Sequence, residues 1–215
     1  MDTELIFLAI AWLAYAVLHS IVASLALKHF VANRWPQLMP WYRLGFNAVA
    51  LLALVPVGLA WYWAAGDELW RWVGWQAWFA NGLALVTILA FIHSTKFYDT
   101  KEFLGLRQLR ENETRVEDQE RLQISPYHRY VRHPWYFFGI VIIWTRNMDT
   151  AWLLSCLMIT AYFMLGSRLE ERKLLAYYGS AYAEYKRLVA GVFPLPWKIL
   201  SVTKAKALEE RGNTS

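Results

Sequence analysis

Apolar residues run in long unbroken stretches along this chain, separated by short polar segments. A helix needs about 20 apolar residues to cross the hydrocarbon layer of a membrane. Residues 5–27, 44–63 and 75–92 meet that requirement, and 151–166 is shorter but wholly uncharged. A fifth apolar piece, 134–145, reaches only ~18 Å at ~1.5 Å per residue, too short to cross alone. It reads as one arm of a helical hairpin with 151–166, turning at Arg146-Asn147-Met148-Asp149. Pro134 suits the first turn of that arm, where a missing N–H costs nothing. The pattern predicts an all-α polytopic membrane bundle of about five transmembrane helices. It forms a single membrane domain: three spans (1–100), a cytoplasmic connector (101–130), a hairpin with a following helix (131–197) and a tail (198–215).

Composition agrees with a membrane reading. Charged residues make up 18% of the 215, against about 25% in soluble domains. Thirteen Trp and twelve Tyr suit a chain with many side chains at a lipid–water boundary. The single cysteine, Cys156, excludes an internal disulfide and any multi-cysteine metal site, and its apolar surroundings read as a buried position. The first stretch follows Asp2 and Glu4 rather than basic residues, so it reads as a retained helix and not a cleaved signal.

Positive charge sets the expected orientation. Lys28, Arg34 and Arg43 follow the first span, eight Lys or Arg lie from Lys96 to Arg132, and nine more from Arg168 onward. Only Arg71 and Arg146 fall on the other side. The asymmetry places the N-terminus outside and the C-terminus in the cytoplasm, as in a bacterial inner membrane. The net charge of +5 is thereby explained without nucleic acid. The polar stretch 101–125 reads as a solvated surface, and the tail from Lys204 as frayed.

Three polar clusters fall at the cytoplasmic ends of the helices. The first is Tyr127-His128-Arg129-Tyr130-Val131-Arg132-His133-Pro134-Trp135-Tyr136, followed by Gly139. The second is Arg168-Leu169-Glu170-Glu171-Arg172-Lys173, and the third runs from Tyr178-Gly179 through Tyr182 and Tyr185 to Phe193-Pro194-Leu195-Pro196. Tyr178, Tyr182 and Tyr185 are spaced to share one helix face. A hairpin brings the first two clusters together. Singly, such residues are usually snorkelling cations, solvated acids or packing aromatics. Together they offer Arg and His donors for a carboxylate, Glu acceptors for an ammonium or ribose, and aromatic faces for a sulfonium. That set is what S-adenosylmethionine requires. No Gly-rich turn of the dinucleotide-binding kind is present.

At these residues the chain resembles the isoprenylcysteine carboxyl methyltransferase and phospholipid methyltransferase superfamily of membrane proteins. The pattern is Val131-Arg132-His133-Pro134-x-Tyr136-x-x-Gly139, then Glu170-Glu171-x-x-Leu174, then Tyr178-Gly179-x-x-Tyr182-x-x-Tyr185 and a Pro-containing exit. His19-Ser20 with Ala23-Ser24, and Phe103-Leu104-Gly105-Leu106-Arg107-Gln108, resemble the NnrU-like and methanethiol S-methyltransferase branch. The resemblance implies an S-adenosylmethionine-dependent methyltransferase. It implies that Arg132, His133, Pro134, Tyr136, Gly139, Glu170 and Glu171 hold the cofactor, with Tyr182 and Tyr185 closing the site. The chain departs from the pattern at His128-Arg129, where the superfamily has Tyr-Arg, and at Arg146, where the branch tends to carry proline.

The expected acceptor is a small or lipophilic thiol reaching the site from the lipid bilayer. Arg107, His93 and His19 are the candidates for the catalytic, acceptor side, and no metal is expected. Carboxyl methylation of a prenylcysteine-like acceptor and phospholipid methylation are the alternatives. From other classes come a membrane haem protein ligated by His19 and His93, and a non-catalytic membrane protein. The oligomeric state is not legible in the sequence.

Overall fold

The computed structural model describes residues 3–64, 66–114, 116 and 121–214. Asp2, Ser215 and part of the polar stretch 101–125 lie outside the described residues. The element order is α1 (Thr3–Ala23), α2 (Leu25–Arg34), α3 (Met39–Trp63), β1 (Glu68–Trp70), α4 (Gly74–Ser94), α5 (Thr100–Leu104), α6 (Leu106–Glu111), α7 (Pro134–Trp144), β2 (Met148–Asp149), α8 (Thr150–Leu188) and α9 (Val202–Thr214). Short 3₁₀ turns precede α3, follow α4 and cover Tyr127–Arg129. Among the described residues four helical segments are long and apolar enough to cross a membrane, and α7 is a shorter apolar helix. Large apolar side chains such as Phe7, Leu13, Leu51, Trp78, Phe79 and Val86 are exposed. That is the surface of a protein whose solvent is lipid. The chain is an all-α polytopic membrane protein.

The first stretch is shorter than expected. Hydropathy alone carries a span from 5 to 27, but α1 ends at Ala23. Ser24 takes an extended backbone conformation, and its Oγ accepts from the Leu27 N–H at 3.2 Å. It thereby caps a separate helix, α2, the local competition that serine offers a helical backbone.

The chain divides into two compact units, 1–71 with 98–118 and 147–158, and 72–97 with 119–146 and 159–215. In the first, α1 packs on α3 around Leu8, Val57, Ala60, Ala64 and Ala151. Trp12 Nε1 donates to Ser155 Oγ at 3.1 Å. Cys156 is buried, as its surroundings suggested. The loop between α5 and α6 packs on α3 through Gly105. A Cβ there would lie 2.7 Å from the Leu44 backbone nitrogen, and its φ of +86° favours glycine as well. β1 pairs antiparallel with β2, a short ladder that the helical pattern did not anticipate.

In the second unit α7 lies along α4 and against the later part of α8. Trp135 Nε1 donates to Ser94 Oγ at 2.8 Å, so α7 starts level with the last residue of α4. Trp144 Nε1 donates to Thr160 Oγ1 at 3.0 Å, and the Tyr136 ring stacks on Phe163. The expected hairpin is therefore present, with Pro134 in the first turn of its first arm.

Two expectations for the C-terminal region are corrected. The tail from Lys204 is not frayed: α9 buries Ala205, Leu208 and Gly212 in a core shared with Leu122, Ile124, Ala181 and Tyr182. Its polar side is held too, since Glu184 pairs with both Lys204 and Arg211. Nor do Tyr178, Tyr182 and Tyr185 share one uninterrupted helix. Gly179 (φ 48°, ψ −124°) breaks α8 between the first and the second, a conformation open to glycine and costly for residues with a Cβ. All three still meet in the same core.

Candidate functional site

The second unit gathers the expected cofactor residues at the N-terminal end of α7. Extended backbone places them. Val131 bridges Ala190, the Arg132 N–H donates to the Ala190 and Gly191 carbonyls at 2.8 and 2.9 Å, and the His133 N–H to Gly191 at 3.1 Å. The apolar part of α8 ends at Gly166, and the polar continuation brings Glu170 and Glu171 alongside.

Glu171 is the centre of a charge knot. It accepts from Arg132 Nη2 at 2.6 Å and Nε at 2.8 Å, from His133 Nε2 at 3.2 Å and from Lys186 Nζ at 2.8 Å. Burial raises its pKa, but the hydrogen bonds from His133, Lys186 and Arg132 outweigh that and bring it down to about 2. Arg132 is equally committed, because Nη1 also donates to the Lys186 carbonyl at 2.9 Å and to the Val189 carbonyl. Both are buried. They hold two segments of the chain together, and neither presents a free face.

Glu170 differs. Its side chain is 41% exposed. Oε2 accepts from the Tyr136 hydroxyl at 3.3 Å and lies 3.4 Å from His133 Nδ1. Both ring nitrogens of His133 thus face carboxylates. Burial lowers its pKa, yet the hydrogen bonds and charges of Glu170 and Glu171 win, and it stays above the ordinary 6.5. His128 goes the other way: burial, helped by the His133 charge, brings it down to about 4. Its Nδ1 accepts from the Ser125 N–H at 3.3 Å, which fixes the neutral tautomer.

An aromatic stack lies beside the carboxylates. His133 and Tyr136 are parallel with centroids 5.3 Å apart, and Tyr136 and Phe163 with centroids 4.7 Å apart. Gly139 makes this possible, since a Cβ there would sit 3.0 Å from the Phe163 ring. Tyr182 and Tyr185, expected to help close the site, are packed in the core. They are 2% and 3% exposed, packed edge to face, and the Tyr185 hydroxyl donates to the His128 carbonyl at 2.7 Å.

Of the acceptor-side candidates, His93 belongs to this same unit, with Nδ1 3.1 Å from the Tyr127 hydroxyl in a cluster with Phe97 and Phe138. His19 and Arg107 belong to the first unit. His19 packs edge-on to Phe46 and beside Tyr15 in a shallow groove between α1 and α3. Arg107 is paired with Asp99 at 3.3 Å and Glu102 at 3.1 Å. Among the described residues no three His, Cys, Asp or Glu side chains converge as a metal site. Sequence reasoning did not single out Lys186 or Phe163. No local pattern marks either one, since each acts through residues distant in the chain.

Comparison with known proteins bears on this geometry. Methanethiol S-methyltransferase 2 of Bradyrhizobium diazoefficiens is 29% identical over 84% of this chain and 69% of its own length. The methanethiol S-methyltransferase of Crocosphaera subtropica is 28% identical over 84% of this chain and 71% of its own. That of Mycobacterium tuberculosis is 29% identical over 85% and 75%. The chain is similar to these methanethiol S-methyltransferases over most of its length. No family model matches it, and no solved structure does. The similarity to these methanethiol S-methyltransferases covers far more than the charge knot, and so agrees with the narrower branch resemblance at His19-Ser20 and 103–108.

Proposed function

We propose that this protein is an integral membrane methyltransferase that transfers a methyl group from S-adenosylmethionine to a small thiol. The observation that carries the reading is the division of labour between two adjacent glutamates. Glu171 is saturated by Arg132, His133 and Lys186, while Glu170 keeps a partly exposed carboxylate beside the His133–Tyr136–Phe163 stack. This donor set fits the cofactor. Glu170 would take its ammonium or a ribose hydroxyl, and the stacked rings lie beside a place suited to a cation. Arg132 and Glu171 act as positioning residues, holding His133 and the 189–191 backbone in register.

When bound, the cofactor supplies a methyl group on a sulfonium that is already a good leaving group. The acceptor thiol would lose its proton to solvent and its sulfur would take the methyl group, with S-adenosylhomocysteine leaving as the neutral thioether. The chain's part is to hold the thiol in line, about 3–3.5 Å from the methyl carbon, and to favour its anion. Whenever His133 carries its proton, Arg132, His133 and Lys186 against Glu170 and Glu171 leave one net positive charge in the knot, which lowers the pKa of a nearby thiol.

The test is methyl transfer by purified protein to a panel of thiols, prenylcysteines and aminophospholipids, with initial rates from pH 6 to 9. A small thiol turns over, and its rate rises with pH and levels off below the thiol's solution pKa. Turnover of the amine lipid alone overturns the reading.

A further inference from the structure

The segment 193–202 is poorly suited to water. Phe193, Trp197, Ile199 and Val202 are all exposed, Trp197 by 76%. The segment is not loose. The Leu200 N–H donates to the Arg129 carbonyl at 3.0 Å, Arg129 Nε returns a bond to the Leu200 carbonyl at 2.7 Å, and Val192 and Leu200 are buried. Four large apolar side chains are therefore presented outward on a fixed backbone.

The level of that backbone is set by its partners. Leu200 bonds to Arg129, and the adjoining Ala190 and Gly191 bond to Arg132 and His133, immediately before α7 begins at Pro134. The same level marks the end of α4, where Ser94 meets Trp135. Two apolar helices thus end where the segment attaches, and the charged Arg129, Arg132 and His133 begin there. This is the boundary between hydrocarbon and headgroups. Side chains presented at that depth meet lipid headgroups and the first carbons of the acyl chains.

Composition suits that medium. Tryptophan favours the interface because its ring is apolar and its N–H is not. Pro194 and Pro196 bring no backbone N–H that would need a partner in a half-dry layer. Arg187, Lys198 and Lys206 in and around the segment complement anionic headgroups.

We propose that 193–202 is an interfacial anchor whose partner is the lipid surface, with Phe193, Trp197 and Ile199 lodged in the headgroup layer. The anchor stands whether or not the protein moves methyl groups. Because the carbonyls of the adjoining 189–191 accept from Arg132 and His133, the anchor also fixes the mouth of the candidate site at the depth where a lipophilic acceptor arrives.

The test places a nitroxide label at single cysteines, Trp197→Cys and separately Ile199→Cys. Cys156→Ala first removes the native thiol, and Glu210→Cys on the exposed side of α9 serves as the aqueous control. Full-length protein is reconstituted in phosphatidylethanolamine–phosphatidylglycerol vesicles, and collision rates with oxygen and with a water-soluble nickel chelate are compared. Labels at 197 and 199 collide more with oxygen than with nickel, several-fold beyond the ratio at 210. A ratio like that at 210 places the segment in water and overturns the anchor. Exclusion of both reagents overturns it as well, because the segment is then covered by protein, such as a second copy of the chain. Both positions are exposed, so labelling disturbs no core, and the second position repeats the measurement independently.

Discussion

The Glu171 side chain is 6% exposed among three cationic groups, whereas Glu170 beside it is 41% exposed and meets two partners through one oxygen. The two should respond oppositely to the same small change. Glu171→Gln leaves Arg132, His133 and Lys186 without their anion, and removing one partner of a buried pair costs about 3–5 kcal/mol. Its melting temperature in detergent should fall well below that of the parent. Glu170→Gln removes a partly solvated charge and should melt close to the parent. It should instead bind S-adenosylhomocysteine roughly 10-fold or more weakly, as expected for losing a hydrogen bond to a charged group. The pH dependence follows from His133. Its folded pKa lies above 6.5, so its contribution is complete below 6.5 and is lost as pH rises through the raised value. Glu171→Gln takes away much of that fall. Equal melting temperatures for the two variants would refute the assignment of Glu171 to the fold. The motif spacing made both glutamates legible as a pair. It could not rank them, because the ranking depends on Lys186 and on the carbonyls at 186 and 189.

At the scale of elements, hydropathy found the spans and the hairpin because a run of apolar side chains has few other places to go than lipid. It overran at Ser24, where a single side-chain oxygen ends one helix and starts the next. It gave no hint of α9, whose buried positions, Ala205, Leu208 and Gly212, are mostly small and sit among Lys and Glu. Their significance appears only once Leu122 and Ala181 are seen against them. The bonds along its C-terminal half, Ile124 N–H to Glu209 and Leu122 with Asn213 in both directions, show α9 tying down the segment that leads to His128. A frayed tail would tolerate Leu208→Ala. Leu208 is 1% exposed, and truncating a buried leucine costs about 2–5 kcal/mol. The variant should therefore melt markedly lower than the parent, by thermal denaturation in detergent, while Lys206→Ala should not. An unchanged melting point for Leu208→Ala would return the tail to the frayed state.

Over the whole molecule, charge asymmetry and chain packing bear on topology by separate routes. Twenty of the 22 Lys and Arg lie in the segments that a five-pass reading puts on the C-terminal side. In the first unit the hairpin tip at 148–149 pairs with 68–70, in the loop between α3 and α4. In the second, Trp72 Nε1 donates to the Arg146 carbonyl at 3.2 Å, and Arg146 Nη1 to Asn81 at 3.1 Å. The tip and that loop therefore keep company, as they must if the short helix α7 serves as a crossing. With 11 residues it spans roughly 16 Å, so it needs the protein around it rather than lipid alone. A reporter at the C-terminus should read cytoplasmic and one inserted at Gly66-Asp67 external. The same side for both would leave an even number of crossings and undo the five-pass arrangement. The total charge count was open to inspection in the sequence, but the tip contacts depend on residues far apart in the chain.

The knot around Glu171 also constrains how the protein comes into being. Arg132 finds its partners 39, 54 and 57 positions later in the chain. At ~5–20 residues per second, ribosomes make Arg132 about 3–11 s before Val189 exists. Until Glu171 exists, about 2–8 s at that rate, the guanidinium sits at the threshold of an apolar helix without the anion it pairs with in the fold, a costly position in or near lipid. Insertion of the first arm of the hairpin consequently waits on sequence that is made well after it.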